Sequence, residues 1–94
     1  MIDQEQVTQE LLRGLYVNAE AQLTLQTRKW GVQDHDVGYW WLIVSEEFGE
    51  LAKAALEGDE SGVVNEAVHV IACIARFVEK VTRTDAEEQA WQIW

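Results

Sequence analysis

Apolar residues recur at spacings of three and four along most of this chain, which is the period of helices packed against one another. Alternation with a period of two is not sustained anywhere, and the sequence contains no proline and only six glycines. These features favour helices, so we expect an all-α protein. Four helices are predicted, the last from a capping-box sequence, and they span residues 3–29, 36–58, 63–83 and 84–94.

Local signals define the ends of the predicted helices. Asp3 and Asp36 are suitable N-caps, and Gly31 stands where helix one should end. Gly14 lies inside helix one, where it either admits a close neighbour or marks an early break. A glycine-bounded turn at residues 58–62 should leave helices two and three antiparallel.

Acidic residues interrupt an apolar seam of helix two. Glu47 and Glu50 fall at the 3/4 spacing of a line whose other members are Trp40, Ile43 and Ala54. A carboxylate that faces a partner helix costs several kcal/mol of desolvation unless a cation or a donor compensates it. The pair therefore suggests a shared positive ligand. The alternative is that both carboxylates, together with Glu46, belong to a solvated face.

Helix three is apolar nearly all round, which predicts that other helices enclose it and makes its polar residues informative. Glu66, His69 and Cys73 share one stripe, and Arg76 lies a little to the side. Cys73 is expected to be a small core residue. Arg76 is expected either to neutralise a site or reach a phosphate, or to pair with Glu79 or with a glutamate of another chain.

The two antiparallel helices together predict a metal site. Glu66 and His69 are three residues apart on helix three, opposite Glu47 and Glu50 on helix two. These four side chains offer mostly oxygen donors, which suit Mg²⁺ or Mn²⁺. The alternative for His69 alone is a hydrogen-bonded histidine of the core.

Composition limits the functions to be considered. The chain has 94 residues, seven Lys and Arg, and a net charge of −10. This balance argues against a nucleic-acid polymer or an anionic membrane as a partner. The length fits one domain, residues 1–94, with a core small enough that self-association would help it. We expect a cytoplasmic protein without a membrane span, because the sequence has a single cysteine, no signal-peptide pattern and no apolar run near ~20 residues.

The segment that joins helices one and two carries candidate binding groups. Arg28, Lys29 and Trp30, followed by Gln33 and His35, could contact phosphates and stack on a base. The alternative is that Trp30 closes the top of the core while Arg28 and Lys29 complement the helix C-terminus.

The last residues contain two tryptophans, Trp91 and Trp94. An apolar segment of this kind should pack on the body of the protein or on another subunit, because exposed apolar patches of that size usually mark interfaces.

The acidic helix and the residues that follow it carry a family resemblance. Three segments resemble the pattern of MazG-like proteins, a branch of the all-α nucleoside triphosphate pyrophosphohydrolases. Residues 46–54 (EEFGELAKA) resemble the EExxE helix of that family, Gly58-Asp59 its short turn, and residues 66–69 (EAVH) its ExxD helix. Residues 28–31 are similar to the lead-in of some small members. The resemblance covers roughly residues 28–80.

The resemblance implies a helical protomer that forms a homodimer or homotetramer around Mg²⁺-binding four-helix bundles. It also implies hydrolysis of a nucleoside triphosphate, often a non-standard one, between its α and β phosphates, with release of the monophosphate and pyrophosphate.

Matching positions carry the implied roles. Glu47, Glu50 and Glu66 would bind Mg²⁺, and Glu46 would bind metal or activate the attacking water. The other groups implied to contact substrate are Lys53, Arg76, Arg28 and Lys29 for phosphate, and Trp30 and Trp40 for the base.

His69 stands where the family pattern has aspartate. Imidazole is a poor ligand for Mg²⁺ and a better one for Mn²⁺, Fe²⁺ or Zn²⁺. Three hypotheses follow. The protein is a metal-dependent nucleotide pyrophosphohydrolase, or it is a weakly active or inactive relative that serves as a nucleotide-binding or helical interaction module. The third hypothesis is a ferritin-like carboxylate protein, because Glu66-x-x-His69 also has the Glu-x-x-His spacing of di-iron bundles.

Overall fold

The computed structural model describes residues 3–31 and 33–89, with the backbone alone described for residues 84–89. All the regular structure in these residues is helical, which confirms the all-α prediction. The three helices are α1 (Gln4–Trp30), α2 (Val37–Leu56) and α3 (Glu60–Gln89).

An aspartate caps the start of each helix in the same way. The carboxylates of Asp3, Asp36 and Asp59 each accept a hydrogen bond from the backbone N–H three residues later, at 2.7, 2.8 and 3.0 Å. Gly31 and Gly58 follow α1 and α2 with positive φ angles of 76° and 67°, which glycine adopts at no steric cost. The predicted caps of helices one and two are thus confirmed.

Helix three departs from its prediction at both ends. It begins at Glu60 rather than at residue 63, because the Asp59 cap draws Ser61 and Gly62 into the first turn. It also continues through residue 84 to Gln89 without the predicted break. Threonine costs only a few tenths of a kcal/mol within a helix, so a capping-box sequence without glycine or proline does not end one. The predicted tail contacts of Trp91 and Trp94 lie outside the described residues.

Helix α3 is the central element of the protomer. Both α1 and α2 pack on it, and within the described residues they make no helix–helix contact with each other. The α2–α3 pair is antiparallel, as predicted. The α1–α3 pair is parallel, since Ala19 packs with Val68 and Ala72 while Thr27, further along α1, reaches Arg76.

The core is small for this length of chain. Helix α2 buries Trp40, Val44 and Ala54. Among the described side chains, Val44 is the largest that is fully buried. Many large apolar residues stay exposed on all three helices, including two on α3, Val64 and Val78. Helix α3 is therefore less enclosed in one protomer than its sequence predicted.

One stretch, Glu60–Arg83 of α3, is long and apolar enough to cross a membrane by length and composition. This differs from the expectation that no segment would qualify. Core helices of water-soluble proteins can have the same length and composition, so a single such helix is weak evidence for a span. Here the stretch also carries Glu66, His69 and Arg76, which are costly within a bilayer.

Candidate metal centre

Three ionisable side chains meet where α2 and α3 face each other: Glu47 from α2, and Glu66 and His69 from α3. Nδ1 of His69 lies 3.6 Å from Oε2 of Glu47 and 3.4 Å from Oε2 of Glu66. Each of the three residues offers one possible ligand atom, and these three atoms all lie within 4.8 Å of one another. The cluster is half-buried, so it lies at the edge of the helix interface and is open to solvent on one side.

Helical geometry explains why these residues meet. Glu66 and His69 are three residues apart and so project from the same face of α3. Glu47 follows the buried Val44 by three residues, which turns its carboxylate towards α3 rather than into solvent. The short turn at Gly58 then folds α2 back along α3 at the register that brings both faces together.

Two carboxylate oxygens of the cluster lack a hydrogen-bond partner. Oε2 of Glu47 and Oε2 of Glu66 are both inaccessible to solvent, and neither accepts a hydrogen bond from the protein. Buried polar atoms are almost always satisfied, so two such oxygens facing one imidazole nitrogen mark a place for a proton or a cation.

The acidity of Glu47 reflects this environment. The pKa of Glu47 is raised from its ordinary 4.5 to about 7, chiefly by burial and also by the neighbouring Glu66 carboxyl group and the negative charge of Glu50. The imidazole of His69 opposes part of this pKa change. Near neutral pH Glu47 is therefore partly protonated, and a divalent cation would displace its proton.

The donor set fits a divalent cation. Two carboxylate oxygens and one imidazole nitrogen suit Mn²⁺, Zn²⁺ or Fe²⁺ well, and Mg²⁺ less well because of the nitrogen donor. Glu47, Glu66 and His69 could hold such an ion. Three protein ligands leave coordination positions for water or for a substrate oxygen.

The other predicted acidic residues lie beside this cluster. Glu50, predicted as a fourth ligand, is exposed on the next turn of α2 and is not among the three residues that meet. Its charge still reaches the cluster, because it raises the pKa of Glu47. Glu46, predicted to bind metal or activate water, and Lys53, predicted to assist catalysis by contacting phosphate, are both exposed on α2.

Arg76 lies further along α3, where it contacts α1. Its guanidinium donates to Oγ1 of Thr27 at 3.1 Å and lies 3.5 Å from Oε1 of Glu79. The predicted pairing with Glu79 is confirmed, whereas the Thr27 contact was not foreseen, since nothing in the sequence relates these two positions. Arg76 and Arg28 also line an open cavity of about 410 Å³ between α1 and α3.

The two predicted base-stacking tryptophans differ in their surroundings. Trp30 is 63% exposed, with the Lys29 ammonium 4.9 Å from the centre of its ring, so the alternative that it closes the core is wrong. Trp40 is 6% exposed and packs edge-on against the ring of His35. Its indole thus belongs to the core, and only Trp30 offers a ring face to a ligand.

Two further side chains complete the surroundings. Cys73 is buried, as predicted, and burial together with the charges of Glu47 and Glu50 raises the pKa of its thiol to about 11. Asp34, in the α1–α2 connection, forms an ion pair with Lys80 of α3, with the charged atoms 2.9 Å apart, and no local pattern predicts this pair. This pair ties the connection to α3.

Comparison with known proteins adds no relative: no family model, no curated protein and no solved structure matches this chain.

Proposed function

We propose that this protein is a metal-dependent nucleotide pyrophosphohydrolase that cleaves nucleoside triphosphates to the monophosphate and pyrophosphate. The observation that carries the proposal is the cluster of Glu47, Glu66 and His69, in which two buried carboxylate oxygens have no partner. The sequence resemblance to MazG-like proteins runs through the same residues and supports the choice of reaction.

A divalent cation held by the three ligands would neutralise polyphosphate charge and make a bound water more acidic. The attacking water oxygen would form a bond to the α phosphorus as the bond to the α–β bridging oxygen breaks, and pyrophosphate would leave. The carboxylates available to take the proton are those of Glu46 and Glu50, which are exposed on α2 next to Glu47.

Cationic side chains lie at one end of the proposed site. Arg76 follows His69 by seven residues, which places the two about 10 Å apart along α3 and on nearly the same face. Together with Arg28 it borders the cavity between α1 and α3. In a protein with a net charge of −10, such groups are needed to hold the part of an anionic substrate that the metal does not contact.

The test is pyrophosphate release from a panel of standard and modified nucleoside triphosphates, measured with Mg²⁺ and with Mn²⁺. We expect release by the wild type, loss of release in Glu47→Gln and Glu66→Gln, and retention in Glu57→Gln, an exposed glutamate at the end of α2. Equal rates in the two cluster variants and the wild type would refute the assigned site.

A second candidate is a nucleotide-binding module without turnover. The exposure of Glu50 favours it, because the cluster then has three candidate ligands, whereas the EExxE and ExxD pattern of the family has five acids. Nucleotide binding that depends on metal and on Glu47, with no pyrophosphate released from any nucleotide, would identify this case. Iron content and an oxygen-dependent colour change would instead identify the di-iron alternative.

A further inference from the structure

An apolar groove runs between the first halves of α1 and α3. It has a volume of about 530 Å³, within the range of cavities that take drug-sized ligands. Only two polar side chains, Glu10 and Asn18, border it. We call it the N-terminal groove, and its main apolar lining residues are Leu11, Gly14, Leu15, Val63, Val64 and Ala67.

The groove is open in a single protomer. Leu11 is 63% exposed and Val64 is 52% exposed. Gly14 lies in an unbroken helix, so it does not mark an early break, and within the protomer a Cβ atom built on it would meet nothing within 4 Å. Its missing side chain instead widens the groove. Contiguous apolar surface of this kind on a small protein usually marks an interface.

The chain itself contains a segment suited to such a groove. Residues 90–94, Ala-Trp-Gln-Ile-Trp, include two tryptophans and no ionisable side chain. In a chain with a net charge of −10, a neutral apolar segment can approach a second copy without adding to the electrostatic repulsion. Trp91 and Trp94 are also of the residue type most often found at the centre of protein interfaces.

Geometry prevents this segment from reaching the groove of its own protomer. Gln89, the last residue of α3, is 22 residues beyond Ala67, or about 33 Å along the helix axis. Five extended residues span at most about 18 Å. A groove that contains Trp91 and Trp94 must therefore belong to another copy of the chain.

We propose that the Trp91–Trp94 segment of one protomer docks in the N-terminal groove of a second protomer, and reciprocally under two-fold symmetry. The indole rings fill the space above Gly14, between α1 and α3. At the edge of the groove, the carboxylate of Glu10 and the amide oxygen of Asn18, whose amide nitrogen donates to the Gly14 carbonyl at 2.8 Å, are acceptors of the kind that an indole N–H requires.

Sedimentation velocity of the full chain over a range of concentrations tests the proposal. We expect a dimer whose dissociation constant rises roughly a hundredfold in the double variant Trp91→Ala/Trp94→Ala. The control is Trp30→Ala, which removes an exposed tryptophan remote from the groove. A monomeric wild type, or unchanged association of the double variant, would overturn the proposal.

A second variant tests the groove rather than the segment. Gly14→Leu places a side chain in the open space and improves helix propensity, so it should block docking without unfolding α1. Its control is Glu20→Leu, on an exposed part of α1 outside the groove. We expect loss of the dimer in Gly14→Leu and its retention in Glu20→Leu.

Mixing the two defective proteins gives the sharpest test. The tryptophan variant has an intact groove and Gly14→Leu has an intact segment, so the mixture can form a heterodimer with one docked segment although neither protein dimerises alone. Recovery of a dimer on mixing supports the proposal. Dimerisation that is lost in Gly14→Leu yet kept in the tryptophan variant would instead identify α1 of a second copy as the occupant.

Discussion

Replacing Glu47 by glutamine should stabilise the metal-free protein at alkaline pH. The pKa of Glu47 is about 7 in the folded protein against an ordinary value of 4.5. Because the folded state holds this proton more tightly, the stabilising contribution is full below about pH 4.5 and is lost as the pH rises through 7. Above pH 7 the fold must accommodate a half-buried carboxylate beside Glu66. Glutamine has nearly the same shape and never acquires that charge.

The pKa difference sets the size of the effect. A change from 4.5 to about 7 corresponds to about 3 kcal/mol if the site were fully shielded from water. The side chain of Glu47 retains 22% of its solvent exposure, and screening reduces the figure to about 1–2 kcal/mol. This is the gain in the free energy of unfolding expected for Glu47→Gln at pH 8, with little gain at pH 5.

Urea denaturation in the presence of a chelator, at one protein concentration and at both pH values, measures the gain. Glu57→Gln is the matched control, because it removes one exposed carboxylate and so reports the general relief of charge repulsion. Adding Mn²⁺ at pH 8 should reverse the order, since the wild type gains stability from metal and Glu47→Gln does not. An equal or lower stability of Glu47→Gln at pH 8 without metal, or an equal gain at pH 5, would refute the reasoning.

Three further predictions concern other parts of the molecule. His69→Asp should raise the affinity for Mg²⁺ relative to that for Zn²⁺, measured by calorimetry, because a nitrogen donor becomes a hard oxygen donor; an unchanged ratio would mean that His69 does not bind the metal. Asp59→Ala should lower the free energy of unfolding by about 1 kcal/mol through loss of the α3 cap, whereas an unchanged urea midpoint would show that the cap adds nothing. Cys73 should react with a thiol reagent at pH 8 only as fast as the protein unfolds, because burial and neighbouring charge raise its pKa to about 11; rapid labelling of the native protein would contradict this.

The sequence predicted the helices and most of the metal cluster because both depend on short-range geometry. Capping aspartates and helical periodicity fix the elements locally. Glu66 and His69 share a face by their spacing alone, and the short Gly58 turn brings Glu47 opposite to them. Glu50 is not among the three residues that meet, because a helix wheel shows direction but not where the contact between two helices ends, and its role as a ligand stays a prediction.

Long-range packing could not be predicted in the same way. Trp30 at the end of α1 is 63% exposed and Trp40 on α2 is 6% exposed, a difference that depends on how the helices pack and not on the neighbouring residues in the sequence. The contact between Thr27 and Arg76 likewise depends on the parallel packing of α1 on α3, for which a single sequence has no periodic signal. The stretch Glu60–Arg83 meets the length and composition of a span although no single apolar run does, because hydropathy averaged over a long window tolerates a few charged residues.

The location of all three candidate ligands on one helical hairpin has a consequence for folding. Contacts between α2 and α3 join residues close in sequence, so they close small loops and should form early. Helix α1 packs only on α3 and can dock afterwards. A nascent α2–α3 hairpin would therefore already present Glu47, Glu66 and His69 together, and metal capture could precede completion of the fold and guide it.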